Sequence, residues 1–146
     1  MMDVLMLTGR ILFAVAFVAS GIGHFAKREM MAGFMRSSGA VPTALHRLAE
    51  PVVLITGGML VAGSMMIAAG IYADLGTLLL AAFLVPTTPL MHAFWKLTDP
   101  MQRQQQQLAF VRNMTYLGAA LFLFAFFTTS GDSLAFTVTR PIWSIG

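Results

Sequence analysis

Residues 51–94 read PVVLITGGMLVAGSMMIAAGIYADLGTLLLAAFLVPTTPLMHAF, two apolar runs with almost nothing between them. Pro51 to Ile71 and Leu75 to Phe94 each supply roughly the 20 residues a helix needs to cross the hydrocarbon core of a bilayer. Joined so tightly, they predict two helices packed as an antiparallel hairpin. Outward from this hairpin, Val4 to Phe25 and Leu108 to Thr128 are runs of the same kind, so four spans are expected. Backbone polar groups must be paired internally in lipid, which selects helices over strands. The expected fold class is an all-α membrane protein, an antiparallel four-helix transmembrane bundle, with residues 1–146 as a single integral-membrane domain. The first span lacks a basic segment before its apolar run and carries Arg10 inside it, so it reads as a retained span rather than a signal peptide.

Composition supports the same reading. In a chain of 146 residues, 58% apolar against 10% charged side chains is too much apolar surface for one soluble core of this size to hide. An ordinary globular enzyme is thereby excluded. The absence of cysteine removes disulfides, thiolate metal sites, iron–sulfur clusters and thiol redox chemistry, so any redox role must borrow a cofactor. The net charge of +3 comes from nine Lys and Arg scattered among apolar runs, which reports membrane topology rather than a nucleic-acid surface.

The connections carry their own signals. In residues 26–41, Met30, Met31, Phe34 and Met35 fall at helical spacing opposite Lys27, Arg28 and Arg36, which predicts a short helix lying in the membrane interface between spans one and two. Pro42 fits the first turn of a helix running through His46 and Arg47 to a kink at Pro51. Asp99 and Pro100 read as N-cap and first residue of a long fourth helix whose opening turns, MQRQQQQ, project from the bilayer as a solvated face. Lys27, Arg28, Arg36, Arg47, Lys96 and Arg103 lie in the 1–2 and 3–4 connections, against Arg140 alone on the other side. The positive-inside rule then places both termini outside and both long connections in the cytoplasm of a bacterial inner (plasma) membrane.

Placed by depth, the polar residues form two groups. Towards the cytoplasmic side lie His24, Glu50, His92, Arg112 and Asn113, one or two from each span. Towards the other side, Arg10 and Asp74 form a candidate structural ion pair that pins helix register. Arg10, Ala14, Phe17, Gly21 and His24 follow a helical rhythm, and such polar-ended stripes face the bundle interior because charges facing acyl chains are expensive. Glu50 has a second reading as an interfacial residue neutralising Arg47. Gly57, Gly58, Ala62 and Gly63 in span two, with Ala16 and Ser20 in span one, are the expected close-packing positions. Pro86 and Pro89 free backbone carbonyls just before His92 and loosen that end of span three.

The chain resembles the DoxX family of small four-span membrane proteins over nearly its whole length. The resemblance rests on GRILFAVAFVASGIGHF (Gly9 to Phe25), GAVP (Gly39 to Pro42), EPVVLITGG (Glu50 to Gly58), HAFW (His92 to Trp95) and RNMTYLG (Arg112 to Gly118). Arg112 stands where many relatives have lysine, and Pro86 with Pro89 departs from their smoother third span. The resemblance implies a functional level at His24, Glu50, His92 and Asn113. It also implies a role as the membrane subunit of a thiosulfate:quinone oxidoreductase or of another membrane-bound redox assembly.

Three classes of function follow. The leading one is a quinone-linked or partner-recruiting subunit of an oxidoreductase complex, not catalytic alone, with an apolar cavity for a quinone and His24, His92 or Glu50 to hydrogen-bond its oxygens. The alternative is a non-catalytic structural or assembly subunit in which the same residues only hold the bundle together. The third, a bis-histidine haem or metal site on His24 and His92, has only two good ligands and is not expected. The expected partners are membrane lipid and other redox subunits, with no covalently bound cofactor and no nucleic acid. After the fourth span, Phe136, Ile142 and Trp143 suit a segment lying on the outer interface.

Overall fold

Each apolar run folds as one long helix. The computed structural model describes residues 1–39 and 41–143, with Asp132 by its backbone only; Ala40 of the GAVP turn and the last three residues of the tail lie outside the described residues. The α-helices are α1 (Met2–Ala26), α2 (Arg28–Ser37), α3 (Ala49–Ala69), α4 (Ala73–Met91) and α5 (Pro100–Ser130), and among the described residues there is no strand. Four helices, all but α2, are long and apolar enough to cross a membrane.

Helix α3 lies centrally, touching α1, α2 and α4, while α5 packs on α4. The core where they meet is formed by Phe17, Leu60, Ile67, Leu80, Phe83, Leu84 and Phe127. The buried residues of α1 are Arg10, Ala14, Phe17 and Gly21, one stripe at helical spacing. Large apolar side chains outside the core are exposed on every long helix, among them Leu12, Val15, Ile55, Met65, Val85, Leu121 and Phe122. That is the surface of a helix bundle whose solvent is hydrocarbon.

Close approach is local and depends on glycine. A Cβ on Gly21 would stand 2.6 Å from Val61 Cγ2 and 2.9 Å from the carbonyl of Gly57, and one on Gly57 would stand 2.8 Å from the His24 Cβ. Helices α1 and α3 therefore cross at this pair. Gly63 and Gly76 play the reciprocal part between α3 and α4, each reaching the other's carbonyl. Gly58, expected beside Gly57 as a packing position, has nothing within 4 Å of its Cβ position, because one residue further along the helix points about 100° away. On α1 Gly21 is buried, whereas Ala16 is half-buried and Ser20 exposed.

Helix termini follow local chemistry. The Asp99 carboxylate accepts the backbone N–H of Gln102 at 2.8 Å, and Pro100 takes the first position of α5, where its missing N–H costs nothing. Between Pro42 and α3 the chain forms a 3₁₀ turn, Thr43–Leu48, instead of a continuous α-helix. Pro51 is consequently the third residue of α3, where an N–H needs no helical partner and no kink is required. Helix α3 ends at Gly70 (φ 68°), where the amide of Ile71 bonds back to Met66 and that of Gly70 to Ile67. This Schellman pair turns the chain at once into α4.

Candidate functional site

One large cavity, about 560 Å³, opens where α1, α2, α3, α4 and α5 converge. Its walls are apolar, with Met30, Met31, Phe34 and Met35 from α2 and Val52, Val53, Phe83, Leu90 and Met91 from the spans. Into them α1 sends His24, the end of α4 sends His92, and α5 sends Arg112 and Asn113. The amphipathic α2 is thus a wall of the cavity: its apolar stripe faces Ala49 and Val53 of α3 through Met31 and Met35.

The two histidines are held alike. His24 Nδ1 lies 2.8 Å from the carbonyl of Ser20; a carbonyl only accepts, so Nδ1–H donates and Nε2 is the remaining nitrogen. His92 Nδ1 lies 2.7 Å from Gln106 Oε1, also an acceptor. The His24 ring meets the edge of Phe83 at 5.8 Å between centroids, which fixes its plane. Gln106 was invisible as a partner because it sits in a glutamine run that reads as a solvated face. Helix α4 ends at Met91, so His92 leaves the helical path (φ −118°) after two prolines that remove two donors from the last turns.

A second hollow, about 450 Å³, adjoins the first and shares Phe34, Leu90 and Met91 with it. It is more polar, lined by Ser37, Ser38, Lys96, Gln102, Gln105 and Gln106. The His92–Gln106 hydrogen bond links a residue of the inner cavity to one of this vestibule.

Glu50 does not join the cluster. Its carboxylate accepts from Arg28 Nε at 2.9 Å, tying α2 to α3, and this partner replaces the expected Arg47. With both side chains at least 40% exposed the pair is worth no more than about 1 kcal/mol. Glu50→Gln should lower thermal stability only slightly and leave ligand binding at the cavity unchanged, as a melting curve and a binding isotherm would show.

Arg10 and Asp74 are both buried, but they are not paired with each other. Arg10 donates from Nε to the Ile67 carbonyl (2.9 Å) and from Nη2 to those of Ala68 (2.9 Å) and Phe136 (3.1 Å). Two of these are carbonyls of the last turn of α3, at the negative end of its dipole. Asp74 Oδ2 accepts the backbone N–H groups of Ile142 (2.7 Å) and Trp143 (2.9 Å). The expected ion pair is therefore corrected to two separate clamps on one segment. Residues 134–143 fold over the α3–α4 turn, adding bonds from Val138 and Thr139 N–H to the Gly70 carbonyl and from Tyr72 N–H to Thr139 Oγ1. The tail keeps Phe136, Ile142 and Trp143 exposed at that end, with Trp143 also meeting the Phe124 ring at 6.1 Å.

The family model described as DoxX matches residues 5–93, from early α1 to the residue after His92. No curated protein and no solved structure matches the chain significantly.

Proposed function

The chain belongs to the DoxX family of membrane proteins, and from that premise we propose that it is a quinone-interacting subunit of a membrane oxidoreductase assembly. The observation that carries this reading is the cavity of about 560 Å³, within the roughly 300–1,000 Å³ usual for ligand sites, where an apolar wall meets His24, His92, Arg112 and Asn113. These residues fit a quinone: the Met, Phe, Val and Leu surfaces take an apolar ring, and side chains from three helices offer hydrogen bonds to its oxygens. A bound quinone would supply two-electron chemistry coupled to protons. The chain's own part is to bind and orient the ring, to keep water from it, and to hold protons at the histidine Nε2 atoms. In this reading the four long helices form an antiparallel bundle across a bacterial inner membrane, α2 lies in the cytoplasmic interface as the floor of the cavity, and the partner is another redox subunit.

Two experiments test the reading. Purification in mild detergent, with mass spectrometry of extracted lipids and co-purifying proteins, should recover quinone with the wild-type chain and much less with His24→Gln, His92→Gln. Equal quinone in both, or none in either, would contradict it. For topology, the chain has no cysteine of its own, so single cysteines at the exposed Ser37 and Ser133 can be compared in intact cells. An impermeant thiol reagent should label Ser133→Cys and spare Ser37→Cys; the reverse pattern would invert the orientation.

A further inference from the structure

We infer that the main cavity also takes an anionic amphiphile drawn from the bilayer, its charged oxygen headgroup paired with Arg112. The inference rests on reading that cavity as a ligand site, and adds the charge of what enters it.

Arg112 is the thirteenth residue of α5, about 18 Å along the helix axis from its start at a rise of 1.5 Å per residue. It therefore stands beyond the polar MQRQQQQ turns, inside the apolar run, where a charge without a partner is costly. Among the described residues its guanidinium makes no hydrogen bond and no ion pair; the acidic side chain nearest in role, Glu50, is engaged by Arg28. No Asp or Glu lines the main cavity or the vestibule that adjoins it. The cavity therefore carries a positive charge that the protein leaves uncompensated. At its mouth the vestibule repeats the sign: Lys96 stands there with Gln102, Gln105 and Gln106, three amides at i, i+3 and i+4 on one face of α5.

An occupant with a neutral head could accept a guanidinium N–H but would leave its charge uncompensated. A carboxylate or phosphate head, or the phenolate of an ionised hydroquinone, would accept its N–H groups in charge-assisted hydrogen bonds, with the Asn113 amide as a further donor. The surrounding Met, Phe, Val and Leu side chains require the rest of that molecule to be hydrocarbon or an apolar ring. A bare inorganic anion would gain nothing from them.

The test is equilibrium binding to the full chain in zwitterionic nanodiscs, comparing hexadecanoate with hexadecanol at equal membrane mole fraction, with acetate as competitor and a short-tailed quinone measured alongside. The expected result is that the acid binds at least about tenfold more tightly than the alcohol, that Arg112→Gln abolishes this preference without lowering the melting temperature, and that Arg112→Lys restores most of it. Equal binding of acid and alcohol by the wild-type chain would overturn the inference, and saturable quinone binding in the same sample would then leave the quinone reading intact. Competition by acetate at a concentration comparable to that of the long-chain acid would show a site for free anions and would also overturn it. Failure of every amphiphile, quinone included, to bind saturably would remove the ligand-site reading and this inference together.

Discussion

Asp74→Ala is expected to destabilise the folded chain by about 3 kcal/mol or more, since hydrogen bonds to a charged group are worth about 1.5–3 kcal/mol each and the carboxylate takes two. Asp74 is 0% exposed, so the alanine variant also leaves a void where the carboxylate met the amides of Ile142 and Trp143. Asp74→Asn keeps an acceptor oxygen and should lose less. The same segment is held by Arg10 through the Phe136 carbonyl, which makes a double replacement informative. Were the two charges an ion pair, Arg10→Ala with Asp74→Ala would be more stable than the worse single variant. With each side chain bound to backbone instead, the double variant should be no more stable than the worse single one. Detergent melting curves of the four proteins, together with a chain truncated after Ser133, read this directly; recovery in the double variant would reinstate the pair.

Neighbouring glycines give the second large effect, with opposite signs at adjacent positions. Gly57→Ala puts a methyl group 2.8 Å from the His24 Cβ and 3.3 Å from the Gly21 carbonyl, at a crossing where backbone faces backbone and neither helix can give without the other. Overpacking of this kind costs about 1–3 kcal/mol, and here it also pushes α1 away from α3, displacing His24 from the cavity. Gly58→Ala meets nothing within 4 Å and removes a flexible residue from a helix interior, so it should be neutral or stabilising by about 0.5–1 kcal/mol. Melting temperatures falling for the first and holding or rising for the second are the expected pattern. Equal losses at both positions would place the crossing elsewhere.

The spans were legible because a bilayer leaves few options: an apolar run of sufficient length must be a helix, and Asp99-Pro100 marks a start wherever it occurs. The α1 stripe from Arg10 to Gly21 was legible from period alone. The partners of the charges were not, because two opposite charges at one depth invite pairing on paper. The carbonyls of Ile67 and Ala68 and the amides of Ile142 and Trp143 that actually engage them belong to backbone, which leaves no residue-type signal. Glu50 was drawn into the cluster by depth, yet depth along a helix does not give azimuth relative to a fifth, peripheral helix; Arg28 of α2 was closer. Gln106 was hidden for the opposite reason, as one of several identical neighbours in a run with no periodic contrast.

What joins fold to function is the cavity at the meeting of the helices, with its two histidines each held at Nδ1. The affinity of a short-tailed quinone for the chain in nanodiscs, wild type against the His24→Gln, His92→Gln double variant, tests that claim most directly. Replacing each ring, held at Nδ1 so as to present Nε2, by a mobile amide forfeits about 1 kcal/mol at each contact, which predicts saturable wild-type binding that weakens about tenfold or more in the variant, with the melting temperature of the ligand-free protein nearly unchanged. Equal affinity in the two proteins, or a variant that loses stability in step with binding, would contradict it.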